Sequence, residues 1–149
     1  MPIQLTDEIR DHINGALAAG NPMIIASVDE AGKPRLSYRG SVAVFSDDQL
    51  GFWARNAEGS TAGGIGGNPN VALMYRSPAQ RVMLQFAGRA RPAKGADRDR
   101  VFENAPEFER NADPERKGLG FIVDLDKVEG LMGLDDAGNR RMLRMARED

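Results

Sequence analysis

The chain has 149 residues, a formal net charge of −2 and no cysteine. This length suits one hydrophobic core, and we predict a single domain over residues 1–149. The charge argues against nucleic acid as a partner, because binding its backbone needs a surplus of basic side chains. The absence of cysteine excludes disulfides and thiol nucleophiles, and a single histidine, His12, excludes a multi-histidine zinc site. We therefore expect no metal site. If the protein has a chemical activity, we expect an organic cofactor to supply it.

The first 21 residues carry the pattern of an amphipathic helix. Thr6 suits its amino-terminal cap, an acidic first turn follows, and apolar residues recur at helical spacing until Gly20 and Pro22. No basic leader is present, and no apolar run approaches the roughly 18 residues of a membrane span. We expect a soluble cytoplasmic protein with no membrane partner.

The middle of the chain is a series of short apolar or alternating runs separated by turn-forming residues, which is typical of strands. About six such runs occur without a long helix between them, which favours a small antiparallel barrel over a doubly wound sheet. A short helix is expected at 97–104. The predicted strands are 23–28, 34–38, 40–45, 50–54, 71–75 and 81–90, with later ones at 121–125 and 128–134.

The carboxyl-terminal residues 135–149 are charged, with Met142, Leu143 and Met145 interspersed. We predict a frayed or partner-packed tail here. A methionine-bearing flap over a ligand is the alternative.

The glycine-rich stretch at 58–73 invites comparison with phosphate-binding loops, because glycine lets backbone amides approach a phosphate closely. Gly59 and Gly64 have the outer spacing of a P-loop, but Ile65 and the following glycine stand where Lys and Ser/Thr are required. A dinucleotide fingerprint fails as well, since Pro69 occupies its third glycine position. Neither common motif explains the stretch.

The order of the segments is more informative than any single motif. An aromatic strand from Phe52 leads through a Gly/Ser/Thr turn to Asn-Pro-Asn-Val-Ala-Leu at 68–73, and a later strand ends in Phe-Ala-Gly-Arg-Ala at 86–90. This order and spacing resemble the pyridoxamine 5′-phosphate oxidase-like FMN-binding split-barrel family. The likeness covers residues 23–92 and continues more loosely to 134.

The resemblance implies a mostly β (α+β) fold, a six-stranded antiparallel split β-barrel with a few short helices. It also implies a homodimer with FMN in a cleft built from both subunits, and an oxidoreductase activity on a small-molecule substrate. In family members the turn after the aromatic strand commonly has Ser-Arg-Lys or Ser-x-Lys and holds the FMN phosphate. Gly59, Ser60 and Thr61 stand at those positions here. Their hydroxyl and amide groups can donate hydrogen bonds, but the fixed positive charges are missing.

Other side chains are candidates to complete such a site. Arg39, Arg55 or Arg81 would supply the missing charge. Gln85 alternates with apolar neighbours, so its amide is expected to face the cleft and bond the pyrimidine edge of a flavin. For Trp53 a core or interface position is the default and flavin contact the alternative. The predicted cofactor-binding residues are Ser37, Arg39, Trp53, Ala54, Arg55, Gly59, Ser60, Thr61, Arg81 and Gln85.

Two other functions stay open. A deazaflavin-dependent reductase would need a basic groove, and Arg35, Arg39 and Arg55 on one face would favour it. A cofactor-free protein would use the same cleft for a small apolar ligand. The lone His12 argues against axial haem ligation. The sequence assigns no catalytic residue, and it leaves nicotinamide, a quinone or an aromatic xenobiotic as possible substrates.

Overall fold

The computed structural model describes residues 1–148, and its secondary structure is mostly β. Four helices and eight strands follow one another along these residues. In chain order they are α1 (Asp7–Asn14), β1 (Met23–Val28), β2 (Pro34–Arg39), β3 (Ala43–Ser46), β4 (Gln49–Ala54), α2 (Ser60–Gly67), β5 (Asn70–Ser77), β6 (Val82–Pro92), α3 (Gly95–Asn104), α4 (Glu107–Ala112), β7 (Leu119–Leu134) and β8 (Arg140–Ala146).

All strand pairs are antiparallel, in the order β2-β1-β5-β6-β7-β4-β3, and β8 also pairs with β7. The long strand β7 organises this sheet. It pairs with β6 over most of its length, its first part pairs with β4, and its second part pairs with β8. A register shift beside Gly88 leaves one extra residue on β7, and such a bulge bends a strand. The expected fold class is therefore confirmed, with eight strands in place of the six that the resemblance implies.

The described residues form two hydrophobic clusters on opposite faces of the sheet's central strands. The larger one fills the barrel and includes Phe52, Leu84 and Phe86, none of which has measurable exposure. The smaller one contains Trp53 and Phe102 and joins β4 and β7 to α3. Because successive strand residues point to opposite faces, the neighbours Phe52 and Trp53 belong to different clusters. The barrel is thus covered by α3 on one outer face.

Helix α1 begins where the sequence predicts. The Thr6 hydroxyl accepts a hydrogen bond from the Ile9 amide, and Ile9 and Ile13 are buried in the main cluster. The helix ends at Asn14, earlier than Gly20, because the chain passes into turns there. None of the helices in residues 1–148 is long and apolar enough to cross a membrane.

The prediction of a frayed tail is wrong for residues 140–146, which form β8. Met145 is 2% exposed in the main cluster, and the amide of Gln4 donates to its sulfur at 3.4 Å. Local sequence did not reveal this strand because its pairing with β7 is a tertiary contact. The last residue of the predicted tail, 149, lies outside the described residues.

Candidate functional site

The glycine-rich stretch forms helix α2, which lies directly on β1. A side chain at Gly64 would place its Cβ 2.2 Å from the Val28 carbonyl oxygen, so only glycine permits this approach. Gly59 is the amino-terminal cap residue and has an extended conformation. Because it has no side chain, no side-chain oxygen caps the first amides of the helix. Ser60 and Thr61 follow as its first residues. The opening of α2 therefore presents backbone amides that have no partner within the helix.

Arg39, at the end of β2, reaches this turn. Its Nη2 donates a hydrogen bond to the Thr61 hydroxyl at 2.9 Å. Its Nε is buried and has no hydrogen-bond partner among residues 1–148. Burial lowers the pKa of Arg39, the nearby Glu109 carboxylate raises it, and the positive charge of Arg55 lowers it. The structure thus joins two of the predicted features, the Gly/Ser/Thr turn and a compensating arginine.

Arg55 lies beside Arg39 and is paired with an acidic residue of α4. Its Nε is 3.7 Å from Oε2 of Glu109, whose side chain is only 12% exposed. A Cβ on Gly40 would lie 2.6 Å from the other carboxylate oxygen of Glu109, so the carboxylate rests against the backbone next to Arg39. Arg39 and Arg55 line an open pocket of about 560 Å³ with Asn56 and Ala112.

Ser37 and Ala54, two further predicted site residues, are not among the residues that line this pocket. Ser37 is half-buried on β2 and shares a face of the strand with Arg35 and Arg39. Ala54 is buried at the end of β4, where it pairs with Leu119. The Ala54 side chain belongs to the core.

Trp53 occupies its default position, the core. Its ring packs edge-on against Phe102 at 5.0 Å between centroids, and the Arg98 guanidinium stacks on it at 4.7 Å. Its Nε1 donates to the buried carboxylate of Asp113 at 2.8 Å. The ring is 2% exposed, so flavin contact by this side chain forms no part of the function proposed below.

Asp113 is held by three hydrogen bonds at the end of α4. Besides the Trp53 indole, the backbone amides of Lys117 and Gly118 donate to its carboxylate. Burial raises the pKa of Asp113, but these hydrogen bonds and the Arg98 charge outweigh it, so the pKa lies below its ordinary value. The ionised carboxylate therefore ties the end of α4 to Trp53 of β4 and to the backbone that leads into β7.

Gln85 and Arg81 lie away from the Arg39 pocket within one chain. Gln85 is exposed on the outer face of β6 and lines an apolar pocket of about 320 Å³. Arg81 sits at the turn before β6 with φ of 54° and lines a third pocket with Arg76 and Arg140. These pockets share no residue with the one that Arg39 and Arg55 line.

His12, the only histidine, belongs to no metal-binding group in the described residues. The His12 Nδ1 is 3.3 Å from the hydroxyl of the buried Tyr75, so the ring is engaged at the end of the barrel. In the described part of the chain, no group of three or more His, Asp or Glu side chains could hold a metal ion.

Glu109 is the residue that the sequence analysis missed. It lies between the helix breakers at 106 and 114, where no helix was predicted. Pro106 followed by Glu107 and Glu109 is a helix-start signal, since proline and acidic residues both favour the first turn. That signal predicts α4, but it does not predict which arginines Glu109 faces.

Comparison with known proteins agrees with this geometry. A family model described as pyridoxamine 5′-phosphate oxidase matches residues 5–125. The chain belongs to this family. No protein of curated function has a sequence that matches the chain.

Several solved structures have a similar fold at low sequence identity. HupZ of Group A Streptococcus is 20% identical over 91% of this chain and 98% of its own, with a TM-score of 0.63. A pyridoxamine 5′-phosphate oxidase-related, FMN-binding protein of Nostoc punctiforme is 15% identical over 91% and 92%, with a TM-score of 0.65. A haem-binding protein of Mycobacterium smegmatis is 12% identical over 92% and 57%, with a TM-score of 0.66. At these identities the likeness shows the fold alone.

Proposed function

We propose that this chain is an FMN-dependent oxidoreductase whose phosphate site is formed by Arg39 and the amino end of α2. One observation carries the proposal: the Arg39 guanidinium is tied to Thr61 and keeps a buried Nε without a partner among residues 1–148. A buried donor without an acceptor is costly, and an anion would supply the acceptor. We take the substrate to be a small molecule and the protein to be cytoplasmic, with no nucleic-acid or membrane partner.

The first turn of α2 favours the same ligand. Its unpaired backbone amides and the positive end of the helix dipole attract anions. The Ser60 hydroxyl is exposed beside them and can donate as well. A phosphate bound here would accept hydrogen bonds from the Arg39 Nε and from the amides of the turn. These donors would compensate for the Arg-Lys pair that other family members have and this chain lacks.

Bound FMN supplies the hydride or electron transfer of the reaction. The chain's own residues would bind and orient it: Arg39, Ser60 and Thr61 at the phosphate, with Arg55 adding charge. Gln85 and Arg81, on other parts of the surface, would act at a cleft formed with a second copy. We assign no side chain to proton transfer.

A homodimer accounts for the exposed apolar face of the sheet. One row across β2, β1, β5 and β6 consists of Leu36, Ala26, Ala72 and Ala87. The adjacent row contains Tyr38 and ends at Gln85, and Leu36 and Tyr38 are 75% and 72% exposed. A second copy on this face would bury these side chains and bring its own residues to the Gln85 pocket.

The phosphate site can be tested by adding a negative charge to the turn. Ser60→Asp should weaken FMN binding by at least about tenfold, because a carboxylate beside the phosphate repels it. Asp is favourable in the first turn of a helix, so the fold should persist. FMN affinity is measured by calorimetric titration and by retained flavin absorbance.

Ser60→Asn is the matched control, since it has the same size without the charge. Equal FMN affinity for the Asp and Asn variants would remove the turn from the site. A wild-type protein that gives neither a calorimetric signal nor flavin absorbance would end the FMN proposal.

A deazaflavin reductase is the second candidate. Arg35 and Arg39 share one face of β2, and Arg39 and Arg55 share a pocket, so the three basic residues border one region. This arrangement suits a cofactor with an acidic tail longer than that of FMN. Parallel titration with a deazaflavin cofactor distinguishes the two, and Arg35→Ala should weaken only the longer ligand.

A further inference from the structure

Glu109 places a negative charge at the pocket where the proposed function requires an anion. Its carboxylate is nearly buried, lies against the Gly40 backbone and faces Arg55, and its charge acts on Arg39. Two guanidinium groups line the pocket, and the Glu109 carboxylate lies next to them, 3.7 Å from the Arg55 Nε. A phosphate that binds Arg39 meets this carboxylate as a competitor for the same cations.

We propose that Glu109 is an internal counter-ion that competes with the ligand phosphate and sets the charge that the site accepts. With Glu109 in place the three side chains carry one net positive charge, which matches a singly charged anion. A doubly charged phosphate monoester gains its full attraction only when the carboxylate moves away. The phosphate assignment in this inference rests on the proposed function.

The helix that carries Glu109 buries little apolar surface, and its firmest attachment is at its carboxyl end, where Asp113 accepts three hydrogen bonds. Helix α4 has six residues, and none of them is fully buried, although the Glu109 side chain is only 12% exposed. Phe108 is 72% exposed. The Arg110 side chain holds the helix to the preceding carbonyls of Glu103 and Ala105. A segment with so little buried apolar surface belongs to the least stable part of a fold.

Removal of the Glu109 carboxylate should also change the stability of the ligand-free protein. Removing the carboxylate leaves the half-buried Arg39 without its main negative neighbour, and uncompensated buried charge destabilises a protein. An anion in solution would restore the balance. The neutral variant should therefore be less stable alone and gain more stability from phosphate than the native protein does.

Glu109→Gln tests the inference, with Glu107→Gln as the matched control on the same helix. Glu107 is exposed, and its loss changes the net charge equally. We expect Glu109→Gln to tighten FMN binding about tenfold and to leave riboflavin, which has no phosphate, unchanged. Glu107→Gln should change neither. Glu109→Asp withdraws the carboxylate by one methylene and should tighten FMN binding by a smaller factor. This variant tests the inference if Glu109→Gln folds poorly.

Inorganic pyrophosphate separates this inference from the proposed function. If no variant binds FMN but pyrophosphate raises the Tm of Glu109→Gln more than that of the native protein and Glu107→Gln, the counter-ion role stands and the flavin role falls. If FMN binds and Glu109→Gln leaves its affinity unchanged or weaker, the counter-ion role is overturned and the flavin role stands. If neither ligand distinguishes Glu109→Gln from Glu107→Gln, the inference is wrong.

Discussion

Arg39 shows how one side chain can serve a site at the expense of stability. A half-buried guanidinium that satisfies only part of its hydrogen-bonding capacity is less favourable than an apolar residue of similar size. A fold that keeps such a group gains something else from it, and anion binding is the gain that the Thr61 contact and the α2 amides suggest. Under the proposed function, Arg39 would supply the positive charge that the Arg-Lys pair supplies in other family members.

Asp113 is a structural carboxylate whose loss should be measurable as a function of pH. Its folded pKa lies below the ordinary value, so its contribution to stability is present above the unfolded pKa and is lost as pH falls through the folded pKa. We expect Asp113→Asn to lower the free energy of unfolding at neutral pH by about 1–3 kcal/mol, because an amide cannot accept all three hydrogen bonds.

Denaturant unfolding between neutral and acidic pH checks this prediction. The difference between native protein and variant should shrink as pH falls. Asp136→Asn, at an exposed position, is the control and should change stability little at any pH. A constant difference across the pH range would mean that the variant acts through packing rather than through charge.

At the residue level the sequence predicted part of the site. Arg39 and Thr61 were both candidates, and the structure brings them into contact. Glu109 was missed because its role depends on where α4 folds back, which no local pattern encodes. Trp53 was ambiguous for a related reason: strand alternation places it opposite Phe52, but does not tell which face α3 covers.

Strand β8 is the element whose importance the sequence understated. Its residues alternate between an exposed Met142 and a buried Met145, and Arg141 forms a bidentate pair with Glu8 of α1. The amide of Ala146 also donates to the Met1 carbonyl. The carboxyl-terminal strand therefore ties the two ends of the chain together over the barrel.

Met145→Ala should lower the free energy of unfolding by about 2–5 kcal/mol, because it opens a cavity in the main cluster. Met142→Ala removes the same side chain from a 72% exposed position and should have an effect near zero. Chemical denaturation of the two variants measures the difference. Equal effects would mean that β8 does not pack as described.

The other elements show what local patterns can and cannot predict. Strand β1 has the predicted bounds, and α3 begins two residues before the predicted start. Both elements are delimited by turn-forming residues that are close in the sequence, so local patterns predict them well. The later strands were predicted as two segments, but β7 runs without interruption from Leu119 to Leu134. The bulge in β7 interrupts the apolar pattern of the sequence, so the pattern predicts two strands. Only the pairing with β6 shows that β7 is continuous.

At the scale of the whole molecule, the spacing of segments predicted the barrel, and the family match confirms that resemblance. What spacing could not predict is how the candidate residues are distributed. Arg39 and Arg55 share one pocket, while Gln85 and Arg81 line others. If all of them serve one cofactor, the site needs two chains.

The dimer proposal makes a prediction about the exposed face. Leu36→Glu should convert a dimer into a monomer, because the charge would have to be buried within the apolar face that the second copy covers. The same change should weaken FMN binding if the cleft draws on both subunits. Sedimentation at several protein concentrations, with FMN titration of each species, measures both effects.

Phe108→Glu is the control for the oligomeric state only, since Phe108 is 72% exposed but lies on α4 rather than on the strands of this face, and its new charge stands next to Glu109. Loss of the dimer together with loss of FMN affinity would mean that oligomerisation completes the site. A monomeric Leu36→Glu protein with native FMN affinity would place the whole cofactor site in one chain, and Gln85 and Arg81 would then need another role. A native protein that is monomeric at all concentrations would leave the apolar face without the partner proposed for it.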